Sequence, residues 1–159
     1  MPNSKTYRNK SSSSMRSKQQ KGTRKNTSSS VVSFQKEITI KFLEMLLMVK
    51  LFHWKTHSYA THKATDDLYG KLNENVDQFM EVLLGKSGIR TDLMKQKSIK
   101  LIDLNSSDVL KREIESFKSY LVSLEQNPGM KTMSNTDLFN IRDEILGNLN
   151  QFLYLLTLK

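Results

Sequence analysis

Residues 52–84, FHWKTHSYATHKATDDLYGKLNENVDQFMEVLL, decide how the chain is read. All three histidines, His53, His57 and His62, lie in the first eleven residues of this stretch. Acids follow at helical intervals: His62 and Asp66 are four apart, and so are Asp77 and Glu81. Residues four apart on a helix stand one turn above another on a single face. At about 100° per residue, with Asp66 at zero, His62 falls near about −40°, Asp77 near about +20° and Glu81 near about +60°. The apolar Leu68, Leu72, Val76, Phe79 and Leu83 fall at roughly 200° to 280°. The stretch therefore predicts one helix with an apolar seam on one side and a stripe of ligand-type side chains on another. Imidazoles and carboxylates without a thiol suit iron, and less selectively zinc or manganese.

Asp66 and Asp77 are eleven residues apart, which is ~16 Å along a helix, whereas ligand bonds are only ~2 Å long. One ion cannot hold both within one chain. Two copies of the helix packed antiparallel across a two-fold axis remove the difficulty. Each site then takes His53, His62 and Asp66 from one copy and Asp77 and Glu81 from the other, and such sites come in symmetric pairs.

The pattern H-W, then H-x3-D-x10-D-x3-E with Leu68-Tyr69 between the acids, resembles the mini-ferritins of the Dps type. The resemblance covers the helical part of the chain, from about residue 34 onward. It implies that His53, His62, Asp66, Asp77 and Glu81 are ligands of a ferroxidase centre at a dimer interface, with Trp54 beside it. His57 has no counterpart and reads as a loop residue. One departure stands out: His53 and His62 are nine apart, where the family has about twelve, so the first inter-helix loop is shorter. The tract is also similar to ferritin-like proteins of large DNA viruses.

With 159 residues the chain is one domain plus an appendage, and without cysteine it can form neither disulfides nor thiolate metal sites. Two prolines and six glycines leave room for long uninterrupted helices. No apolar run reaches the ~18 residues that span a bilayer, and no secretory signal opens the chain.

The net charge of +9 is unevenly placed. Residues 1–32 hold Lys5, Arg8, Lys10, Arg16, Lys18, Lys21, Arg24 and Lys25 and no acid. Ser, Lys, Arg, Asn and Gln dominate there, so the segment is expected to be a disordered basic tail. Counterion release from phosphates makes such a tail a non-specific DNA binder. A solubilising tail, a nuclear address and an anionic membrane surface are the plainer roles for the same charge.

Residues 33–159 are expected to form an all-α, ferritin-like four-helix bundle. The first helix is predicted over 33–55, with Phe34, Ile38, Phe42, Met45, Val49 and Phe52 on one face. Leu43, Leu46, Leu47 and Trp54 widen that face, so two sides need burial, one of them against a neighbouring subunit. The second helix is predicted over 59–84 and the third over 108–125. Asn127-Pro128-Gly129 ends the third, and the fourth starts near Ser134 with Asp137 as a weak capping box. The long connection from Gly85 to Ser107 sits where ferritin-like folds need a crossover, and the resemblance implies a short helix near 92–96 within it.

No Glu-x-x-His pair occurs in the chain, which argues against a di-iron site inside the bundle and favours an interface site. The resemblance implies an iron-oxidising, iron-storing homo-oligomeric cage, of about twelve chains, that protects DNA from peroxide. The contrasting expectation is a DNA-compacting architectural cage whose metal site is degenerate or binds zinc without redox turnover. A cytoplasmic or nucleoid-associated location fits both, or a virion or viral factory for a viral source.

Overall fold

The helical periodicities close into four packed helices: α1 (Ser14–Lys55), α2 (Tyr59–Ser87), α3 (Ser107–Ser123) and α4 (Thr136–Leu155). The computed structural model describes the backbone of residues 14–158 and the side chains of residues 29–158. Among the described residues there is no strand, and no helix is long and apolar enough to cross a membrane.

Cross-helix contacts fix the direction of each neighbour. Gln35 meets Ser87, Phe42 meets Phe79 and His53 meets His62, so α1 and α2 are antiparallel. Lys71 meets Gln151, Asn75 meets Asn148 and Lys86 meets Asp137, so α2 and α4 are antiparallel too. Glu37 lies against Tyr120 and Phe42 against Phe117, which sets α1 against α3 in the same sense. The bundle therefore runs α1, α2, α4, α3 around its axis, with α2 and α3 parallel across the diagonal. Parallel helices in sequence need a connection as long as the bundle, and residues 88–106 provide it. This is a four-helix bundle with one long crossover.

The apolar stripes converge as their spacing requires. Phe34, Ile38, Phe42 and Val49 of α1 meet Leu68, Leu72, Phe79 and Leu83 of α2. Leu110, Ile114 and Leu121 of α3 and Leu138, Ile145 and Leu149 of α4 complete a core closed to solvent. Phe42 and Phe79 pack edge to face with ring centroids 5.3 Å apart, a favoured arrangement for the ring quadrupoles.

Local signals mark the helix ends. Ser58 caps α2 by accepting from the Thr61 N–H, and Ser106 caps α3 by accepting from Val109. Gly88 ends α2 at φ 65°, a backbone region glycine enters without a Cβ penalty. Gly129 answers a different demand. A Cβ there would stand 2.6 Å from the Phe34 Cβ and 2.9 Å from the Ser30 carbonyl, so the turn after α3 can press against α1 only as glycine.

Four boundaries differ from the sequence expectation. Helix α1 begins at Ser14, not near Ser33, so helical backbone reaches back into the segment expected to be unstructured. Lys, Arg, Gln and Met are good helix formers, and the run from Ser14 to Val31 holds no proline. Extending an existing helix also avoids the cost of nucleating one. Residues 1–13 lie outside the described residues. Helix α2 continues past Leu84 to Ser87. Helix α4 starts at Thr136, and Asp137 accepts from the neighbouring Leu138 N–H, so no capping box forms at Ser134. Near 92–96 there is a turn and not a short helix: Asp92 accepts from the Met94 N–H, and Leu93 from Gln96. Such a bond from an Asp side chain to backbone two residues on offers a local alternative to helix.

Candidate metal centre

Where α1 ends and α2 begins, the chain turns in three residues, Thr56 to Ser58. That short turn faces the last coils of α1 onto the first coils of α2. His53 and His62 stack across it, with ring centroids 3.9 Å apart and planes 24° apart. The nine-residue spacing thus brings the two imidazoles together.

Each ring is held by the other's backbone. His53 Nδ1 lies 3.1 Å from the His62 carbonyl, and His62 Nδ1 lies 3.1 Å from the His53 carbonyl. A carbonyl only accepts, so each Nδ1 carries the hydrogen. The bond to the His53 carbonyl also satisfies one of the orphan acceptors in the last turn of α1. Thr65, fully buried, stands 3.3 Å from His53 Nδ1 through its hydroxyl oxygen and ties that oxygen back to Thr61 and His62.

The consequence is chemical. With Nδ1–H engaged, the neutral ring leaves Nε2 as the nitrogen with a lone pair. Metal-binding histidines are oriented in this way, by donation of the other N–H to a carbonyl or carboxylate. His53 Nε2 lies 3.8 Å from Asp66 Oδ1, too far for a hydrogen bond. A cation with bonds of ~2.1 Å to each would span up to ~4.2 Å, so the gap admits an ion shared by nitrogen and oxygen.

Asp77 and Glu81 continue the stripe along α2. Both are exposed and neither makes a hydrogen bond or ion pair among the described residues. The apolar residues of α2 turn inward as the helical angles require. Among the described residues of one chain, no three His, Cys, Asp or Glu side chains gather close enough to hold one ion. The single chain therefore brings His53 to His62 and to Asp66 and goes no further, with two more carboxylates displaced along the same face of α2. His57 is exposed in the turn.

Trp54 lies beside this centre and is 68 % exposed. Leu47, one face further down α1, is also exposed, whereas Leu46 joins the core. Gly70 sits in the middle of the α2 stripe, and a Cβ there would meet nothing within 4 Å. Around it an open groove of about 420 Å³ is lined by Lys63, Asp66, Asp67, Gly70, Lys71 and Glu74.

Lys50 was not evident from the sequence. Its Nζ lies 4.0 Å from Asp66 Oδ1 and 4.6 Å and 5.9 Å from the ring centroids of Tyr69 and Trp54. Its spacing of three and four before His53 and Trp54 was the available signal, but only the register of α1 on α2 brings it to Asp66. Of the basic residues assigned to DNA, Lys5, Arg8 and Lys10 lie outside the described residues. Arg16, Lys18, Lys21, Arg24 and Lys25 fall on the backbone of α1.

Elsewhere, a smaller cleft of about 80 Å³ opens between α1 and α3, lined in part by Glu44, Glu113 and Tyr120. Burial, and then the nearby Glu37 carboxylate, hold the Tyr120 hydroxyl well above its ordinary pKa. It stays protonated, and no histidine lines the cleft.

Residues 53–156 match DUF5856, a family of unknown function. The matched span opens at His53 and contains all of the ligand stripe. No curated protein and no solved structure matches the chain.

Proposed function

We propose that this chain, which belongs to the DUF5856 family, is the subunit of a ferritin-like, Dps-type assembly that oxidises and stores iron. Its basic N-terminal segment would hold the particle on DNA. The observation that carries the reading is the histidine pair. Two stacked imidazoles each have Nδ1–H spent on a carbonyl, and His53 Nε2 faces the Asp66 carboxylate at 3.8 Å. The single long crossover supports the same reading, because ferritin-like bundles are built with one.

Iron enters this scheme as substrate. His53, His62 and Asp66 of one copy and Asp77 and Glu81 of a second would hold Fe(II) where two α2 helices pack antiparallel. The unpaired state of Asp77 and Glu81 and the exposure of Leu47 and Trp54 favour a missing partner copy over a solvated end state. Two Fe(II) ions each give one electron to one hydrogen peroxide. Two protons are taken up and two waters form, so no hydroxyl radical is released. The ligand residues position the iron; they are not acid–base groups.

An anaerobic Fe(II) titration followed by peroxide, read by ferric absorbance, tests this. Saturable binding near one or two irons per chain, and oxidation faster than buffer, supports it. A rate equal to buffer leaves the architectural reading, a DNA-compacting cage without redox chemistry, in its place. The two activities also separate by variant. Replacing His62 and Asp66 abolishes iron oxidation and spares DNA binding, and deleting residues 1–30 does the reverse.

A further inference from the structure

Lys50 sits where an incoming cation would meet Asp66. Its ammonium approaches the same oxygen, Oδ1, that faces His53 Nε2, at 4.0 Å and 3.8 Å respectively. It is not a free surface lysine. Its side chain is 29 % exposed, and the ammonium lies over the Tyr69 ring at 4.6 Å and the Trp54 ring at 5.9 Å. Aromatic faces attract a cation, and more strongly where water is partly excluded. Three groups thus hold one positive charge at the mouth of the histidine pair: a carboxylate and two rings.

We infer that Lys50 is an internal competitor for the metal: its ammonium neutralises Asp66 in the empty centre and must swing away when a divalent cation binds. The inference rests on the metal reading of the centre. Like charges only a few ångströms apart repel strongly at partial burial, so ammonium and metal do not share Asp66. The lysine stem has the rotatable bonds needed to leave. A built-in cation lowers affinity and discriminates against weakly held ions, since each must displace it. It also keeps an empty carboxylate from standing unpaired. Trp54 is the chain's one tryptophan, so its emission reports the ammonium beside it without an added label.

Zn(II), which carries no redox chemistry, is the probe. It is titrated into the full-length chain at fixed pH and ionic strength, followed by heat and by Trp54 fluorescence. The variants are Lys50→Met, which keeps length without charge, and Lys50→Arg, which keeps the charge. Lys50→Met is expected to bind Zn(II) roughly tenfold more tightly than the natural chain, and Lys50→Arg no more tightly. Saturation is expected to change Trp54 emission in the natural chain and to change it far less in Lys50→Met. Equal or weaker binding by Lys50→Met overturns the role of Lys50 while leaving the metal centre in place. So does zinc binding without a Trp54 response. Absence of zinc binding by the natural chain and both variants overturns the metal reading and this inference together. Binding by Lys50→Met alone supports both.

Discussion

Helix α2 has two faces made under different rules. Its inward face, Leu68, Leu72, Phe79 and Leu83, is closed to solvent and belongs to the core, between α1 and α4. Its outward face carries Asp66, Gly70, Asp77 and Glu81, all exposed. The first face is accounted for by the stability of the single chain. The second contributes little to it: among the described residues Asp77 and Glu81 are unpaired, a Cβ at Gly70 would meet nothing, and Asp66 meets only Lys50 and His53 of α1. A solvated face needs no order in its charges. This one sets donors at intervals that line up with an oriented histidine pair, and that order is the argument for a second copy.

The contrast can be broken by substitution, beginning inside. Phe79→Ala removes a fully buried ring and its edge-to-face contact with Phe42, and is expected to cost about 3–5 kcal/mol. Denaturant unfolding of the purified variant measures it; a loss below about 1 kcal/mol would mean the inner face is not the core it looks to be.

His62 belongs to both regimes. Its Nδ1–H caps α1, so His62→Ala is expected to lower stability by about 1 kcal/mol, visible in the same unfolding curve. Iron oxidation is expected to vanish altogether. A variant that loses the stability but keeps the oxidation rate would reduce the histidine pair to a staple between two helices.

Gly70→Ala sharpens the contrast in the opposite direction. Within one chain the position is open, so alanine is expected to raise helix stability by about 0.5–1 kcal/mol. At the proposed two-fold the added methyl group would meet the partner helix, and association is expected to weaken. Unfolding and sedimentation at matched concentration separate the two. Gain in both stability and association would remove Gly70 from the proposed interface.

The smallest effect lies at the seam between the faces, where Lys86 reaches Asp137 of α4 at 2.9 Å. The hydrogen bond from Lys86 chiefly lowers the Asp137 pKa below 3.8, partial desolvation opposing it and the Leu138 N–H adding to it. A lowered carboxylate pKa gives stability that is present above the ordinary value and is lost as pH falls through the lowered one. Asp137→Asn is therefore expected to lower stability slightly in the neutral region and to shallow the acid limb, the two proteins converging once pH falls below the lowered value. Unfolding followed between neutral pH and pH 2 checks this.

Much of the fold can be read directly from residue spacing. The runs Leu68-Leu72-Phe79-Leu83 and Leu138-Ile141-Ile145-Leu149 carry the period of a helix, and the long connection between the second and third helices sits where a crossover is needed. Ser58 and Ser106 cap their helices through short-range hydrogen bonds that apolar spacing does not reveal. What escaped is what depends on two distant segments meeting. Gly129 is required by the approach of Phe34, ninety-odd residues earlier in a register no local pattern encodes. The start of α1 escaped for another reason: a composition poor in apolar residues argues against burial, and helix can extend from a packed segment without it. At the candidate centre, sequence order marked the donor-type residues, and the structure brings His53 to His62 and to Asp66. The reciprocal histidine bonds and Lys50 were not legible, because the short turn and the offset of α1 on α2 create them.

The claim that two chains share each centre is tested most directly by mixing two inactive variants. One carries His62→Ala and Asp66→Ala, the other Asp77→Ala and Glu81→Ala, with subunit exchange verified by mass. In a mixed pair one centre collects every substitution and the other collects none. The account predicts that each variant alone fails to oxidise Fe(II) and that the mixture recovers activity in proportion to the mixed pairs formed. Mixed pairs that form and remain inactive would contradict it.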